Sequence, residues 1–340
     1  MRTRALCIRA VGQVDVREKE IPPLGPADLL VAVRVGGVCR GDVEAFRGDE
    51  GVPLPYIGGH ESAGEVVEVG ADVAGFTVGD NVALLGDGRF SELTVARADK
   101  AAPLPEKIED WSQWIVEPVA CAVNGVDVAR IRPDDVVGVV GCGFMGLLVT
   151  RALGLAPARE IIGFDVLDNR LTLARRSGAA KVFRSDAALD TVVAEVASAV
   201  VHRPIPAAYV LPGLQNGPLD VVFETSGTAA GLELATRLVR IGGTVVMFGH
   251  QRGAVTIDGT AWHLKGIHVI NGSPMSAVDF HEIFRRTASL MHAGRLDLRG
   301  LVSHSADLDH AQSVFDASAG PGYTKGAILL NGSLGAKVAA

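Results

Sequence analysis

Val136-Val-Gly-Val-Val-Gly-Cys-Gly-Phe-Met-Gly146 sets a run of β-formers against a glycine cluster, and Leu147-Leu-Val-Thr-Arg-Ala-Leu153 continues it as an apolar helix. A G-x-G-x-x-G spacing means little alone; between a strand and a helix it is the turn of a dinucleotide-binding βαβ unit. Gly141 permits the tight turn, Gly143 lets backbone approach a pyrophosphate, and Gly146 lets the helix pack close to the strand while its N-terminus faces the anion. Phe144 and Met145 complete the loop. Asp165 closes the next apolar run, Glu160-Ile-Ile-Gly-Phe164, about 20 residues on. A carboxylate there accepts from ribose hydroxyls and repels a 2′-phosphate, which favours NAD over NADP. Arg170, early in the helix expected from Leu167, stands either near the adenine or in solvent.

Toward the C-terminus, Leu219-Asp-Val-Val-Phe223, Gly243-Thr-Val-Val-Met-Phe-Gly249 and Gly266-Ile-His-Val-Ile270 repeat the strand-then-helix rhythm, so this part reads as a doubly wound parallel sheet. Residues 202–218 carry four prolines and are expected to form a surface loop or broken helix before the next strand. Toward the N-terminus, Leu29-Leu-Val-Ala-Val-Arg-Val35, Gly64-Glu-Val-Val-Glu-Val69 and Asn81-Val-Ala-Leu-Leu85 are short apolar runs broken by Gly, Pro and Asp, the pattern of a twisted antiparallel β unit. A chain of 340 residues exceeds what one core usually serves, so two domains are expected. They are read as residues 1–123 with 271–340, and residues 124–270, ending in an alanine-rich tail expected to fray.

With 48% hydrophobic and 21% charged residues, the chain suits an ordered α/β protein. A net charge of −7 without a Lys/Arg cluster argues against nucleic acid and for a small-molecule partner. No apolar run is long enough to span a bilayer, and the first residues lack the apolar core and cleavage site of a signal peptide, so no membrane partner and a cytoplasmic location are expected. Four scattered cysteines, Cys7, Cys39, Cys121 and Cys142, make a poor disulfide framework and leave room for one to ligate metal.

His60 and Glu61 lie where Gly59-His-Glu-Ser-Ala-Gly64 enters a strand, and Cys39 lies upstream in Cys39-Arg-Gly-Asp-Val-Glu44. Thiolate, imidazole and carboxylate are the donors a zinc ion takes. Gly59-His60-Glu61-x2-Gly64-x5-Gly70-x2-Val73 resembles the signature of the zinc-containing medium-chain dehydrogenase family. The resemblance runs over nearly the whole chain, through the glycine turn, Asp220-Val-Val-Phe-Glu-Thr-Ser-Gly227 and Gly242-Gly-Thr-Val-Val246. It implies an α/β fold in which a GroES-like twisted β catalytic domain accompanies a Rossmann cofactor domain. It also implies a catalytic zinc on Cys39 and His60, with Glu61 either a ligand or behind the metal. Glu117-Pro-Val-Ala-Cys121 offers the third protein ligand, Glu117 as in polyol-type members, with Cys121 the alternate. Asp42 resembles the aspartate that orients the histidine, and Arg40 stands where some relatives contact the cofactor pyrophosphate.

Two departures from the family pattern stand out. Residues 82–91 run straight across where a four-cysteine lobe holds a structural zinc in many relatives, so one zinc per chain is expected. Gly41 replaces the Ser or Thr whose hydroxyl passes the substrate proton outward; Glu44 is the candidate substitute, or else an exposed helix carboxylate.

The implied reaction is zinc-assisted hydride transfer between a secondary alcohol, of polyol, sugar or cyclitol type, and NAD, giving the ketone, or the reverse. Gly41 also suggests reduction of an activated C=C or C=N bond. A non-catalytic NAD-binding redox sensor is a further alternative, against which Cys39, His60, Glu61 and Glu117 together argue. Relatives pair their cofactor domains through the last strand, here near His268-Val-Ile-Asn271, so a homodimer, or a tetramer built from it, is expected.

Overall fold

The computed structural model describes residues 1–49, 51–86, 89–201 and 215–332. The chain divides into two units, Met1–Ala120 with His281–Ala340, and Cys121–Phe280. In chain order the first unit holds β1 (Arg2–Ala10), β2 (Gln13–Glu20), β3 (Asp28–Val38), α1 (Arg40–Arg47), β4 (Glu61–Val69), β5 (Asn81–Leu85), β6 (Leu93–Arg97) and β7 (Ala101–Pro103). The boundary falls within α2 (Val116–Ala129). The second unit holds β8 (Val136–Val140), α3 (Phe144–Leu153), β9 (Glu160–Asp165), α4 (Asp168–Arg176), β10 (Lys181–Arg184), α5 (Leu189–Ala199), β11 (Leu219–Glu224), α6 (Ala229–Leu238), β12 (Val239–Met247), α7 (Gly259–Lys265) and β13 (His268–Asn271). From α8 (Phe280–His292) the chain returns to the first unit with β14 (His304–Asp307), α9 (Gln312–Ala317) and β15 (Gly326–Leu329).

In the first unit β1 and β2 form an antiparallel hairpin beside a sheet of order β14-β15-β3-β4-β5-β7, with β6 also on β3. Every pairing in that sheet is antiparallel except β14 with β15. The unbroken Leu-Leu-Val-Ala-Val run of β3 follows from burial on both faces. Leu29 and Val31 pack with Val66, Val82 and Leu84, whereas Leu30 and Ala32 pack with Ile21 and Leu93.

The second unit is a six-stranded parallel sheet of order β10-β9-β8-β11-β12-β13. The chain runs outward from β8 to β10 and then returns to place β11 on the other side of β8. The order therefore reverses between β8 and β11, the crevice where open α/β sheets bind ligands. Val136, Val140, Phe164, Leu219 and Val222 fill its core with Leu232 and Leu238 of α6 and Val192 and Val196 of α5. β10 has only four residues, two of them charged, and no apolar run marks it. β12 starts ahead of Gly243, with Val239 already paired to Leu219. Residues 202–214 of the proline-rich stretch and the tail from 333 lie outside the described residues. Among the described residues no helix is long and apolar enough to cross a membrane.

Candidate active site

Cys39 follows β3 directly and is the N-cap of α1. Its backbone N–H donates to Asp42 Oδ2 at 2.9 Å, placing the carboxylate in the first helical turn where the helix dipole favours it. The Gly41 N–H bonds the Cys39 sulfur. On the adjoining strand Glu61 pairs across to Gly37, and any side chain at 37 would collide with the Glu61 carboxylate. Gly59, at φ +89° and against Phe90, takes a conformation and a space that only glycine fits, and so sets His60 in place. The result is that one ligand atom each from Cys39, His60 and Glu61 lie within 4.8 Å of one another.

Charge decides what this cluster can hold. Glu61 and Lys325 are 2% and 3% exposed and form an ion pair; Lys325 leads into β15, which lies beside β3. Burial pulls the Lys325 ammonium down, but Glu61 and Cys39 more than offset it and the net shift is upward. Burial first, then Glu61, push the Cys39 thiol up. Burial also pushes Asp42 up to about 6 against the pull of His60, and its buried Oδ1 has no hydrogen-bond donor among the described residues, an acceptor suited to an imidazole N–H. With the thiol ionised, three acids would face Lys325 out of water, an excess that a divalent cation neutralises. Sulfur, imidazole nitrogen and carboxylate are zinc's donor set, so these residues fit that metal.

In the second unit the three glycines of the turn divide the work. A Cβ at Gly141, at φ +93°, would collide with Ser226, and one at Gly146 with the Gly141 carbonyl. A Cβ at Gly143 meets nothing within 4 Å among the described residues, and Gly143 caps α3 without a side chain. Gly141 and Gly146 shape the turn, whereas Gly143 keeps open the space before a helix N-terminus, a cradle for an anion. Phe144 and Met145 are half-buried in the first turn of α3. Asp165 is 5% exposed; its Oδ2 accepts from Cys142 N at 2.8 Å and its Oδ1 from Leu167 N at 3.0 Å. The carboxylate thus braces the glycine turn itself, with Arg170 Nη1 3.8 Å away.

The remaining expected site residues are placed as follows. Arg40 is largely exposed and its Nε donates to Glu44 Oε1 at 2.7 Å, so the two form an ion pair. A Cβ at Gly41 meets nothing within 4 Å among the described residues, whose packing therefore does not exclude a hydroxyl side chain there. Glu117 is half-buried in the first turn of α2 and Cys121 is buried one turn later; the ligand group contains neither.

Residues 25–106 match the model of the alcohol dehydrogenase GroES-like domain, and residues 141–293 that of the zinc-binding dehydrogenases. The chain belongs to the zinc-dependent medium-chain dehydrogenase family. Its relatives include an L-threonine 3-dehydrogenase of Shewanella frigidimarina, 29% identical over 87% of this chain and 90% of the relative. A zinc-binding dehydrogenase of Sinorhizobium meliloti, solved with NADP, superimposes with TM-score 0.80 at 27% identity over 97% of this chain and 99% of that one. The 2R,3R-butanediol dehydrogenase of Bacillus subtilis does so with TM-score 0.80 at 25% identity, over 97% and 100%. This dehydrogenase is therefore an alcohol oxidoreductase on a GroES-like and Rossmann-type α/β fold. Two of its residues escaped the sequence reading, Gly37 and Lys325. The signal for Lys325 was a charge at the mouth of an apolar strand, Lys325-Gly-Ala-Ile-Leu-Leu330.

Proposed function

We propose that this dehydrogenase interconverts a secondary alcohol bearing a neighbouring polar group and its ketone, using NAD and one zinc per chain. The observation that carries the reading is the meeting of Cys39, His60 and Glu61 in a buried site whose negative charge exceeds what Lys325 neutralises. Cys39 and His60 would hold the metal, with Glu61, Glu117 or Cys121 completing the protein ligands; the Glu61 carboxylate, held by Lys325, would serve either as a ligand or from behind the metal. Zinc, when bound, would supply Lewis-acid polarisation of the alcohol oxygen and so a lower alcohol pKa. Asp42 orients His60 and fixes its tautomer. The uncapped turn at Gly143 receives the pyrophosphate, with Phe144, Met145 and Arg170 around it, and Asp165 supports NAD over NADP. With no hydroxyl at Gly41, the substrate proton leaves through water toward the Arg40–Glu44 pair.

Support for the substrate class comes from the relatives: L-threonine and 2R,3R-butanediol both carry a second polar group beside the secondary hydroxyl. A polyol, sugar or cyclitol meets the same description. A homodimer is part of the proposal, supported by β13, whose His268, Val269 and Asn271 are exposed at the edge of the parallel sheet. The test is NADH formation from a panel of vicinal diols, polyols and β-hydroxy amino acids, repeated with NADP. Ketone formation with NAD is expected. Failure with every alcohol, alongside reduction of an activated C=C or C=N bond, would replace the reading with a reductase.

A further inference from the structure

Glu224 is the last residue of β11 and is fully buried, at the carboxyl edge of the parallel sheet where β11 sits between β8 and β12. A buried carboxylate is costly unless donors surround it. Here Oε1 accepts from the backbone N–H of Ser226 at 2.8 Å, from that of Gly227 at 3.0 Å, and from the Ser226 hydroxyl. Oε2 accepts from Gln251 Nε2 at 2.7 Å and from Gly227 N at 3.3 Å. The backbone carbonyl of Glu224 accepts from Phe248 N at 3.0 Å and Gly249 N at 2.7 Å. One residue thus fastens the loop after β11, residues 225–228, to the loop after β12, residues 248–251.

The first of these loops is also built against the glycine turn. Thr225 N donates to the Val140 carbonyl at 2.9 Å, and the Thr225 hydroxyl donates to the carbonyls of Val140 at 2.9 Å and Gly141 at 2.5 Å. Side chains at Gly141 and Gly146 would strike Ser226 and Thr225, and one at Gly249 would strike Gly227. Three loops at the reversal of strand order therefore form one brace with the Glu224 carboxylate at its hub. Helix capping does not require that charge, because Thr228 already caps α6 by accepting from Gly231 N at 3.0 Å.

We propose that Glu224, acting with Gln251, is a positioning residue for the dinucleotide, keeping the loops after β11 and β12 in register with the glycine turn so that the crevice is formed before the cofactor enters. This rests on the NAD-dependent reading above. Preorganisation of this kind shows in affinity, because ordering the loops no longer has to be driven by the ligand.

The test is the NADH Kd, from fluorescence titration of the full-length protein, for wild type, Glu224→Gln, Glu224→Ala and Gln251→Leu, alongside thermal midpoints and hydrogen exchange at the Ser226 and Gly227 amides. Glu224→Gln keeps the size and Oε1, and a turn of the Gln251 amide restores the second contact, so Kd rises less than about threefold. Glu224→Ala raises Kd about 30-fold and Gln251→Leu about fivefold, with faster exchange at both amides. Should the alanine variant not fold, Gln251→Leu carries the test from the half-buried end of the contact. Variants that bind NADH as wild type does, or that lose affinity only in step with their thermal midpoints, overturn the proposal while leaving NAD dependence intact. Wild-type protein that binds neither NADH nor NADPH overturns both.

Discussion

The glycine turn is one run of six consecutive residues, 141–146, whose three glycines act through backbone atoms and the absence of side chains, whereas the proposed metal centre gathers Cys39, His60, Glu61 and Lys325 from separate stretches and acts through charge. The first kind of site depends on space: a methyl group in the wrong place destroys it. The second depends on balance, because each buried charge is tolerable only while its partners are present. Substitutions should therefore fail differently in the two regions; three of them test this, and a fourth, at another buried lysine, sharpens it.

The largest effect is expected from Cys39→Ala. Loss of metal-assisted polarisation should lower kcat/KM for alcohol oxidation by about 10³-fold or more, roughly 4 kcal/mol. NADH affinity should stay within about twofold of wild type, because the turn is built independently; a parallel loss of NADH binding in titrations would break the comparison. Next comes Lys325→Met, which strands the Glu61 carboxylate and should destabilise the metal-depleted protein by about 3 kcal/mol in urea unfolding. An unchanged midpoint would mean that charge balance does not govern this centre. Gly143→Ala should raise the NADH Kd about 100-fold, some 2.7 kcal/mol, with little change in unfolding midpoint, since a Cβ there meets no atom of the described residues within 4 Å. A lost fold with intact affinity in the surviving protein would invert the assignment of Gly143.

The smallest effect sharpens the contrast through a second buried lysine. Lys265 donates to the Thr236 carbonyl at 2.7 Å, in the last turn of α6, where Lys325 instead meets a carboxylate. Burial, then the like charge of Arg237, lowers Lys265 from 10.5 to about 8. As pH falls from 10.5 toward 8 the unfolded chain takes up a proton that the folded chain declines, so stability falls across that window and is level below it. Lys265→Met removes this dependence and should gain about 1 kcal/mol near neutral pH, after allowing for the lost hydrogen bond, with the gain shrinking above pH 8. A gain that does not vary with pH would show that packing, not charge, is responsible.

The same contrast explains what could be read from the chain alone. The glycine turn and the strands β3, β8, β9 and β11 were legible because their signals are local, a run of β-formers ending in glycine or acid. Cys39, His60 and Glu61 were legible as candidate zinc donors by residue type, and their grouping came from the resemblance to the family signature. Lys325 was not, because its partner lies on a strand far away in sequence, and a charge opening an apolar run does not say which acid it will meet. The Arg40–Glu44 pair was open to reading, as the two are four residues apart on one helix. Glu224, like Asp165, is an acid closing an apolar run; the sequence signals were the same, but only the fold reveals which backbone donors each one meets.

The zinc content of wild-type protein purified without added metal or chelator tests the central claim most directly. About one zinc per chain, absent from Cys39→Ala protein that still binds NADH, is the expected result. Folded wild-type protein that binds NADH and carries no zinc would contradict it.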